Sequence, residues 1–101
     1  MTRIVSGIPR ELAMLHPNGN PVERLEIAVL NQTLEDLDKG GQKDFIDAAL
    51  YFFRDDSSLR YPFSFSKICQ HLGLDANGVA CQLWASLDSG SRTQFHQFVH
   101  S

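Results

Sequence analysis

The stretch that most constrains this chain is residues 62–87, where two short helical patterns meet at a glycine. The apolar residues of this stretch form two pairs, each spaced four residues apart: Ile68 and Leu72, then Val79 and Leu83. Residues at this spacing lie on one face of a helix. Gly73 follows the first pair, at a position where a left-handed glycine commonly ends a helix. The spacing therefore predicts two short helices joined by a tight turn.

The residues around this glycine also match a known pattern. Ile68-Cys69 and Leu72-Gly73-Leu74 correspond to Ile-Ala-x-x-Leu-Gly-Val, and Val79-x-x-x-Leu83 corresponds to the core positions of a second helix. Residues 62–87 therefore resemble the helix-turn-helix superfamily, in which two helices are joined by a short turn that often contains glycine.

A longer block of the chain resembles a group of small uncharacterised bacterial proteins. The matching segments are Asp55-Asp56, residues 61–65 (Tyr-Pro-Phe-Ser-Phe), Ile68-Cys69 and residues 72–75 (Leu-Gly-Leu-Asp). The similarity spans about residues 25–84. It implies a bacterial or phage origin and a helix-turn-helix core, but no biochemical activity. The second helix of those proteins carries arginines at the positions of Ala80, Cys81 and Gln82.

Capping residues, glycines and prolines in the rest of the chain predict three further helices and an N-terminal arm. The expected bounds of these helices are residues 21–38, residues 42–54 and residues 93–100. Asn20 is placed to cap the first of them and Gly40 to end it, while residues 88–91 read as a loop. Residues 1–20 contain prolines and glycines, so we expect an N-terminal arm whose few apolar residues contact the main body or a partner.

Composition and charge limit the class of protein. The chain has 101 residues, of which 43% are hydrophobic and 21% are charged, as in an ordinary soluble domain. We therefore expect residues 1–101 to form one all-α domain of about five short helices in a compact bundle. The net charge of −3 provides no overall basic field for nucleic acid. Two cysteines, with no secretion signal or membrane-spanning segment, indicate a cytoplasmic protein with reduced thiols.

The first long helix carries more apolar surface than one neighbouring helix would cover. One stripe comprises Val22, Leu25, Ala28 and Val29, and the neighbouring stripe comprises Ile27, Leu30, Leu34 and Leu37. The remaining surface is expected to be polar and comprises Glu23, Glu26, Glu35 and Asp36. So wide an apolar face predicts a helix that is covered on two sides, and it favours self-association of the chain as a homodimer.

The candidate binding element is the second helix of residues 62–87, which we expect over residues 76–87 with Asp75 as its cap. In DNA-binding helix-turn-helix proteins this helix lies in the major groove. The candidate DNA-binding or partner-binding residues are Lys67, Asn77, Gln82 and Ser86. Asparagine and glutamine side chains can each bind adenine through two hydrogen bonds. Lys67 is the only basic residue between positions 62 and 90, so phosphate contacts would depend on distant arginines.

No other pattern in the chain indicates a catalytic or metal site. Cys69 stands where the superfamily has a small residue at a close helix approach, so we expect a buried thiol, whereas Cys81 should be outward or half-buried. His96 and His100 are four residues apart, but no complete set of paired metal ligands accompanies them. Nucleotide-binding and nucleophile fingerprints are also missing from the sequence. We therefore predict no enzyme activity, metal, cofactor or small-molecule substrate.

Two hypotheses remain for the function. The first is a small transcription regulator, acting as a homodimer, whose second helix reads DNA through Asn77 and Gln82. The second is an acidic helical protein–protein interaction module, an adaptor or inhibitor, that does not bind DNA. The charge of the surface formed by residues 76–87 distinguishes them, because a neutral or negative surface cannot neutralise phosphates and favours the second hypothesis.

Overall fold

A computed structural model describes residues 2–15 and 20–100, and within these ranges six helices follow one another without a β-strand. The helices are α1 (Arg10–Ala13), α2 (Pro21–Lys39), α3 (Gln42–Phe53), α4 (Phe65–Leu72), α5 (Ala76–Ser86) and α6 (Ser89–Val99). The predicted all-α fold is confirmed. The count exceeds the expected five because part of the predicted arm forms the short helix α1. Residues 16–19 of that arm lie outside the described residues.

Helix α2 begins and ends within one residue of its predicted bounds, for local reasons. At its start the side chain of Asn20 accepts hydrogen bonds from the backbone N–H of Val22 and Glu23. At its end Gly40 donates its backbone N–H to the carbonyl of Asp36, and a Cβ at Gly40 would lie 2.6 Å from that carbonyl oxygen. Only glycine therefore fits this close return of the chain onto α2.

The expectation that α2 is covered on two sides is wrong. One stripe is buried against the core and comprises Ile27, Leu30, Leu34 and Leu37. On the other stripe Val29 packs partly against the core, but Val22 is 55% exposed and Leu25 is 56% exposed. Glu26, predicted to be solvated, is only 4% exposed. One side of α2 therefore faces inward and carries a carboxylate, while an apolar side faces outward.

Helix α3 is the central element of the core. The buried residues of this helix are Phe45, Ile46, Ala48, Ala49, Tyr51 and Phe52. The hydroxyl of Tyr51 donates a hydrogen bond to the carbonyl of Phe63 at 2.7 Å, which fixes the segment before α4 onto α3. Burial is the main reason why the pKa of Tyr51 is raised, so the phenol stays protonated and keeps this bond.

The N-terminal segment is bound to the main body of the domain. Ile4 is buried and forms an isolated antiparallel β-bridge with Leu87. The backbone N–H of Arg3 donates to both the carbonyl and the carboxylate of Asp38, at 3.0 Å each. Leu12 of α1 is also buried in the core. The arm is expected to contact either the main body or a partner. The described residues therefore show the contact with the main body.

Helices α4 and α5 are joined at Gly73 as the spacing predicts. Gly73 has a φ of +73°, and the following N–H, of Leu74, donates to the carbonyl of Cys69 at 2.7 Å. Ile68, Val79 and Leu83 are all buried beneath the two helices. The turn and the inward faces are thus confirmed, whereas membership of the helix-turn-helix superfamily stays a prediction.

The helix caps agree only in part with the sequence. Ser64 caps α4 by accepting a hydrogen bond from the N–H of Lys67. Asp75 stands at the N-cap position of α5, but its side chain accepts no hydrogen bond from that helix, so this predicted cap is wrong. The loop expected at residues 88–91 is also wrong, because Asp88 accepts the N–H of Ser91 at 2.6 Å and α6 starts at once.

Candidate functional site

The predicted binding residues occupy different environments. Lys67, Asn77 and Gln82 are exposed, on α4 and α5. Ser86, in contrast, is only 7% exposed, and its hydroxyl donates to the carbonyl of Gln82 at 2.8 Å. The expectation that Ser86 faces outward is wrong, because the N-terminal segment covers this end of α5 and donates the N–H of Val5 to the carbonyl of Ser86.

The three exposed residues also do not converge on one surface. Lys67 lines a small notch together with Val22 and other residues of α2 and α4. Asn77 instead lines a groove beside α5. Gln82 is five residues beyond Asn77, which places it about 140° further around the helix. The fold therefore does not present a single surface on which all three residues could contact DNA.

The largest concave feature beside α5 is the α5 groove, formed by two adjoining hollows of about 310 Å³ each. The hollows share Phe53, Asn77 and Ala80, so they form one continuous depression. The other residues that line the groove are Phe52, Arg54, Asp55, Phe65, Ser66, Ala76, Cys81 and Trp84. The groove thus lies between the end of α3, the start of α4 and the outward side of α5.

Aromatic rings in edge-to-face contact form the floor and one wall of the α5 groove. The ring of Phe53 lies 5.2 Å from that of Trp84 and 5.9 Å from that of Phe95, between centroids. At the other end Phe52 and Phe65 are 5.1 Å apart in a T-shaped pair. Such pairs contribute about 0.5–1.5 kcal/mol beyond their buried area. The groove is therefore backed by mutually supported side chains.

Small residues on α5 keep the α5 groove open. Ala76 and Ala80 are spaced four apart and share one face of the helix, so no long side chain fills the space above the rings. The row continues to Trp84, which closes the far end. The groove is not among the predicted features, although this row of small residues ending in tryptophan is a sequence signal that could indicate it.

Charge is confined to one end of the α5 groove, near the start of α5. Asp55 there has a φ of +51°, and its carboxylate accepts the backbone N–H of Ser66 at 3.2 Å and the Ser66 hydroxyl at 2.9 Å. Arg54 lines the same end. The carboxylate of Asp75 lies close to Gly78, where a Cβ would be 2.8 Å from Asp75 Oδ2. Glycine at this position therefore accommodates the acid beside the first turn of α5.

The two thiols differ as predicted. Cys69 is buried beneath α4, and Cys81 is exposed on the α5 groove. Burial, with smaller contributions from the charges of Asp55 and Asp75, raises the pKa of Cys69 to about 11.

A second site, unrelated to the α5 groove, joins α2 to α4. Nδ1 of His71 lies 2.7 Å from Oε2 of Glu26, and the carboxylate accepts this hydrogen bond. The notch beside this pair encloses about 140 Å³ and is lined by Val22, Glu26, Pro62, Phe63, Lys67, Ile68 and His71. No local sequence pattern predicts this pair, because its members are 45 residues apart. The buried carboxylate and its partner fix the orientation of α4 relative to α2.

Two further findings concern the described part of the chain. Across residues 2–15 and 20–100, no cluster of three or more His, Cys, Asp or Glu side chains could hold a metal ion. The same residues include no helix with the length and apolar character needed to span a bilayer.

Comparison with known proteins finds no matching family model, no matching curated protein and no matching solved structure. The interpretation of the α5 groove and of the Glu26–His71 pair therefore depends on their geometry and chemistry.

Proposed function

We propose that this chain is a protein–protein interaction module that binds its partner in the α5 groove. The observation that carries the proposal is the groove itself: an open depression on the outward side of α5 whose Trp84 end is mainly apolar and is backed by Phe53, Trp84 and Phe95. Apolar surface that leaves water on binding contributes roughly 25 cal/mol per Å². Aromatic side chains dominate such interfaces.

The position of the groove supports the same proposal. It lies on the helix that would contact a ligand if residues 62–87 acted as other helix-turn-helix units do. Asn77 and Cys81 are exposed at its rim, so a partner would find polar groups beside the apolar floor. A polar rim around an apolar centre is the usual organisation of protein interfaces.

DNA binding is the weaker alternative, because the cations that phosphate contacts require are missing from α5. No Lys or Arg occurs in this helix. Two distant arginines are held elsewhere: Arg60 pairs with Asp36 at 3.1 Å, and Arg3 lies over the ring of Phe45. Phosphate neutralisation supplies nearly all non-specific DNA affinity, so a neutral to negative surface disfavours this function.

Cys81 allows a direct test in the full chain. Because Cys69 is buried with a pKa of about 11, a maleimide that carries a photo-cross-linker reacts selectively with Cys81 at neutral pH. We expect irradiation in an extract of the organism that encodes the chain to attach a specific protein. The matched control carries Cys81→Ser and Gln82→Cys, which moves the label to an exposed position away from the groove. A second control, Ala80→Asp, places a charge in the groove and should abolish the cross-link.

The outcome that contradicts the proposal is equally specific. If the labels at positions 81 and 82 give the same products, or if Ala80→Asp has no effect in a variant with unchanged circular dichroism, the groove is not the binding surface. Retardation of duplex DNA by the wild-type chain, weakening steeply between 50 and 200 mM salt, would instead favour the DNA-binding regulator.

A further inference from the structure

The last turn of α6 places two histidines on one face of the helix. His96 and His100 are four residues apart, and the backbone N–H of His100 donates to the carbonyl of His96 at 3.1 Å. Both side chains are exposed, and the centres of their rings lie 4.3 Å apart. The fold therefore brings two imidazoles together at a place that solvent can reach.

The two rings contact each other and are not held by a polar group of the domain. Within residues 2–15 and 20–100, neither ring of the pair forms a hydrogen bond or an ion pair. His71, in contrast, is bonded to the carboxylate of Glu26 through Nδ1. Helix α6 itself contains no Asp or Glu that could bond the pair. The ring nitrogens of His96 and His100 are thus available to an external ligand.

The spacing of the two rings suits a single metal ion. Imidazole is the commonest metal ligand in proteins, and histidines four residues apart on a helix can bind the same ion. Two imidazoles bound at about 2.0–2.1 Å and at about 90° to one another have ring centres roughly 4.5 Å apart, against roughly 5.2 Å at a tetrahedral angle. The observed 4.3 Å is closer to the first value, which belongs to square-planar or octahedral ions such as Cu²⁺ and Ni²⁺.

The electrostatics of this end of α6 also suit a cation. The C-terminal end of a helix carries a partial negative charge, and His100 stands at the C-cap of α6. Arg92, the only Lys or Arg of this helix, lies one turn before His96 and opposes a cation. Its repulsion acts through solvent and is therefore screened, whereas a bond from imidazole to a metal is not. The charge of Arg92 thus weakens binding without preventing it.

We infer that His96 and His100 form a binding site for a divalent transition-metal ion of the class of Ni²⁺ or Cu²⁺, with water in the remaining coordination positions. This site is independent of the α5 groove and goes beyond the proposed function. The sequence predicts no metal because no third ligand accompanies the pair, and the described residues contain no group of three. A chelate of two imidazoles that water completes does not require a third side chain. The bound ion holds the last turn of α6 closed.

The test is a calorimetric titration of the full chain with Ni²⁺. The reference protein carries Cys81→Ser, so that the exposed thiol does not compete for the ion. We expect a single ion to bind to each chain. In this background His96→Gln and His100→Gln should each lower the affinity by about tenfold or more, because the second imidazole of a chelate binds intramolecularly. Arg92→Gln should raise the affinity slightly, because it removes a like charge.

The matched control exchanges two exposed residues of α6. Thr93→His combined with His96→Thr keeps the composition and the net charge, but it separates the histidines by seven residues, about 10.5 Å along the helix. One ion cannot bridge that distance, so the affinity should fall as in the single variants. Saturating Ni²⁺ should also raise the Tm of the reference protein more than that of the exchange variant, because only the native pair binds the ion tightly.

Three outcomes would overturn the inference. The first is equal affinity of the exchange variant and the reference protein, since the ion would then bind elsewhere. The second is a loss of affinity in only one of His96→Gln and His100→Gln, which would mean that one imidazole binds alone. The third is no binding at millimolar Ni²⁺. Circular dichroism without metal verifies that each variant keeps its fold, so that a lower affinity reports the site.

Discussion

The outward side of α2 and the α5 groove both expose apolar side chains, and they differ in shape and support. Val22 and Leu25 project from the outward side of α2, where the described helices do not cover them. The α5 groove is concave, and its rings contact one another beneath small residues. Single exposed apolar residues are common on soluble proteins, whereas a depression lined with aromatic rings is not. Concavity and internal support, more than exposure, are therefore the reasons for proposing the α5 groove as the binding surface.

The largest expected difference between the two surfaces is in stability. Phe53→Ala removes the ring that contacts both Trp84 and Phe95, and we expect the free energy of unfolding to fall by about 2 kcal/mol, since this ring is half-buried. The matched variant Leu25→Ala should change it by less than about 0.5 kcal/mol. Urea unfolding followed by circular dichroism measures both. Equal losses of unfolding free energy in Phe53→Ala and Leu25→Ala would mean that both surfaces are supported equally by neighbouring side chains.

A somewhat smaller effect is expected on the inward side of α2. His71→Ala removes the group that bonds the buried carboxylate of Glu26, and because the His71 side chain is half exposed we expect a loss in the lower part of the range for an unsatisfied buried group, about 1.5 kcal/mol. His96→Ala is the control, because His96 is exposed on α6. The same unfolding measurement applies. A result for His71→Ala within error of the control would show that water replaces the imidazole and that the pair does not stabilise the α2–α4 contact.

A third difference in stability is expected between two aspartates at N-cap positions, Asp75 before α5 and Asp88 before α6. Asp88→Ala should lower stability by about 1 kcal/mol, because Asp88 accepts the N–H of Ser91, whereas Asp75→Ala should have almost no effect. The backbone N–H of Ser91, followed by its hydroxyl, lowers the pKa of Asp88 below its ordinary 3.8. This stabilisation is therefore complete above about pH 4 and is lost as the pH falls through the lowered value.

Comparison of unfolding at pH 7 and pH 3 checks the third prediction. Wild type and Asp75→Ala should lose part of the Asp88 contribution at pH 3, which lies below the ordinary pKa of 3.8, and Asp88→Ala should not. If the two aspartate variants respond to acid in the same way, the cap at Asp88 is not the source of this part of the pH dependence.

The smallest expected effect concerns self-association through α2. The sequence predicts a homodimer, and Val22 and Leu25 are the exposed residues that such an interface would use. If this face associates, Leu25→Glu should shift the sedimentation of the chain towards a monomer at high micromolar concentration, with stability changed by less than about 0.5 kcal/mol. Gln32→Glu, also exposed on α2, is the control. A wild-type chain that is already monomeric under these conditions would remove the homodimer prediction.

The sequence predicts well those features that depend on neighbouring residues. The ends of α2 and the turn at Gly73 follow from caps and glycines that act within a few positions. The α5 groove could not be predicted in this way, because its walls combine Phe53 with Trp84, which are 31 residues apart in the sequence. Ser86 was misassigned for the same reason, since the segment that covers it comes from the other end of the chain.

The N-terminal residues described above have a practical consequence for all of these measurements. The backbone N–H of Val5 donates to the carbonyl of Ser86, and the backbone N–H of Asp88 donates to the carbonyl of Arg3. The N-terminal segment therefore holds the junction between α5 and α6 in place. A purification tag or label joined directly before Arg3 would lie next to these hydrogen bonds and to the C-terminal end of α5. Fusions on that side therefore need a flexible spacer, and the attachment of the protein to a sensor surface should be made elsewhere.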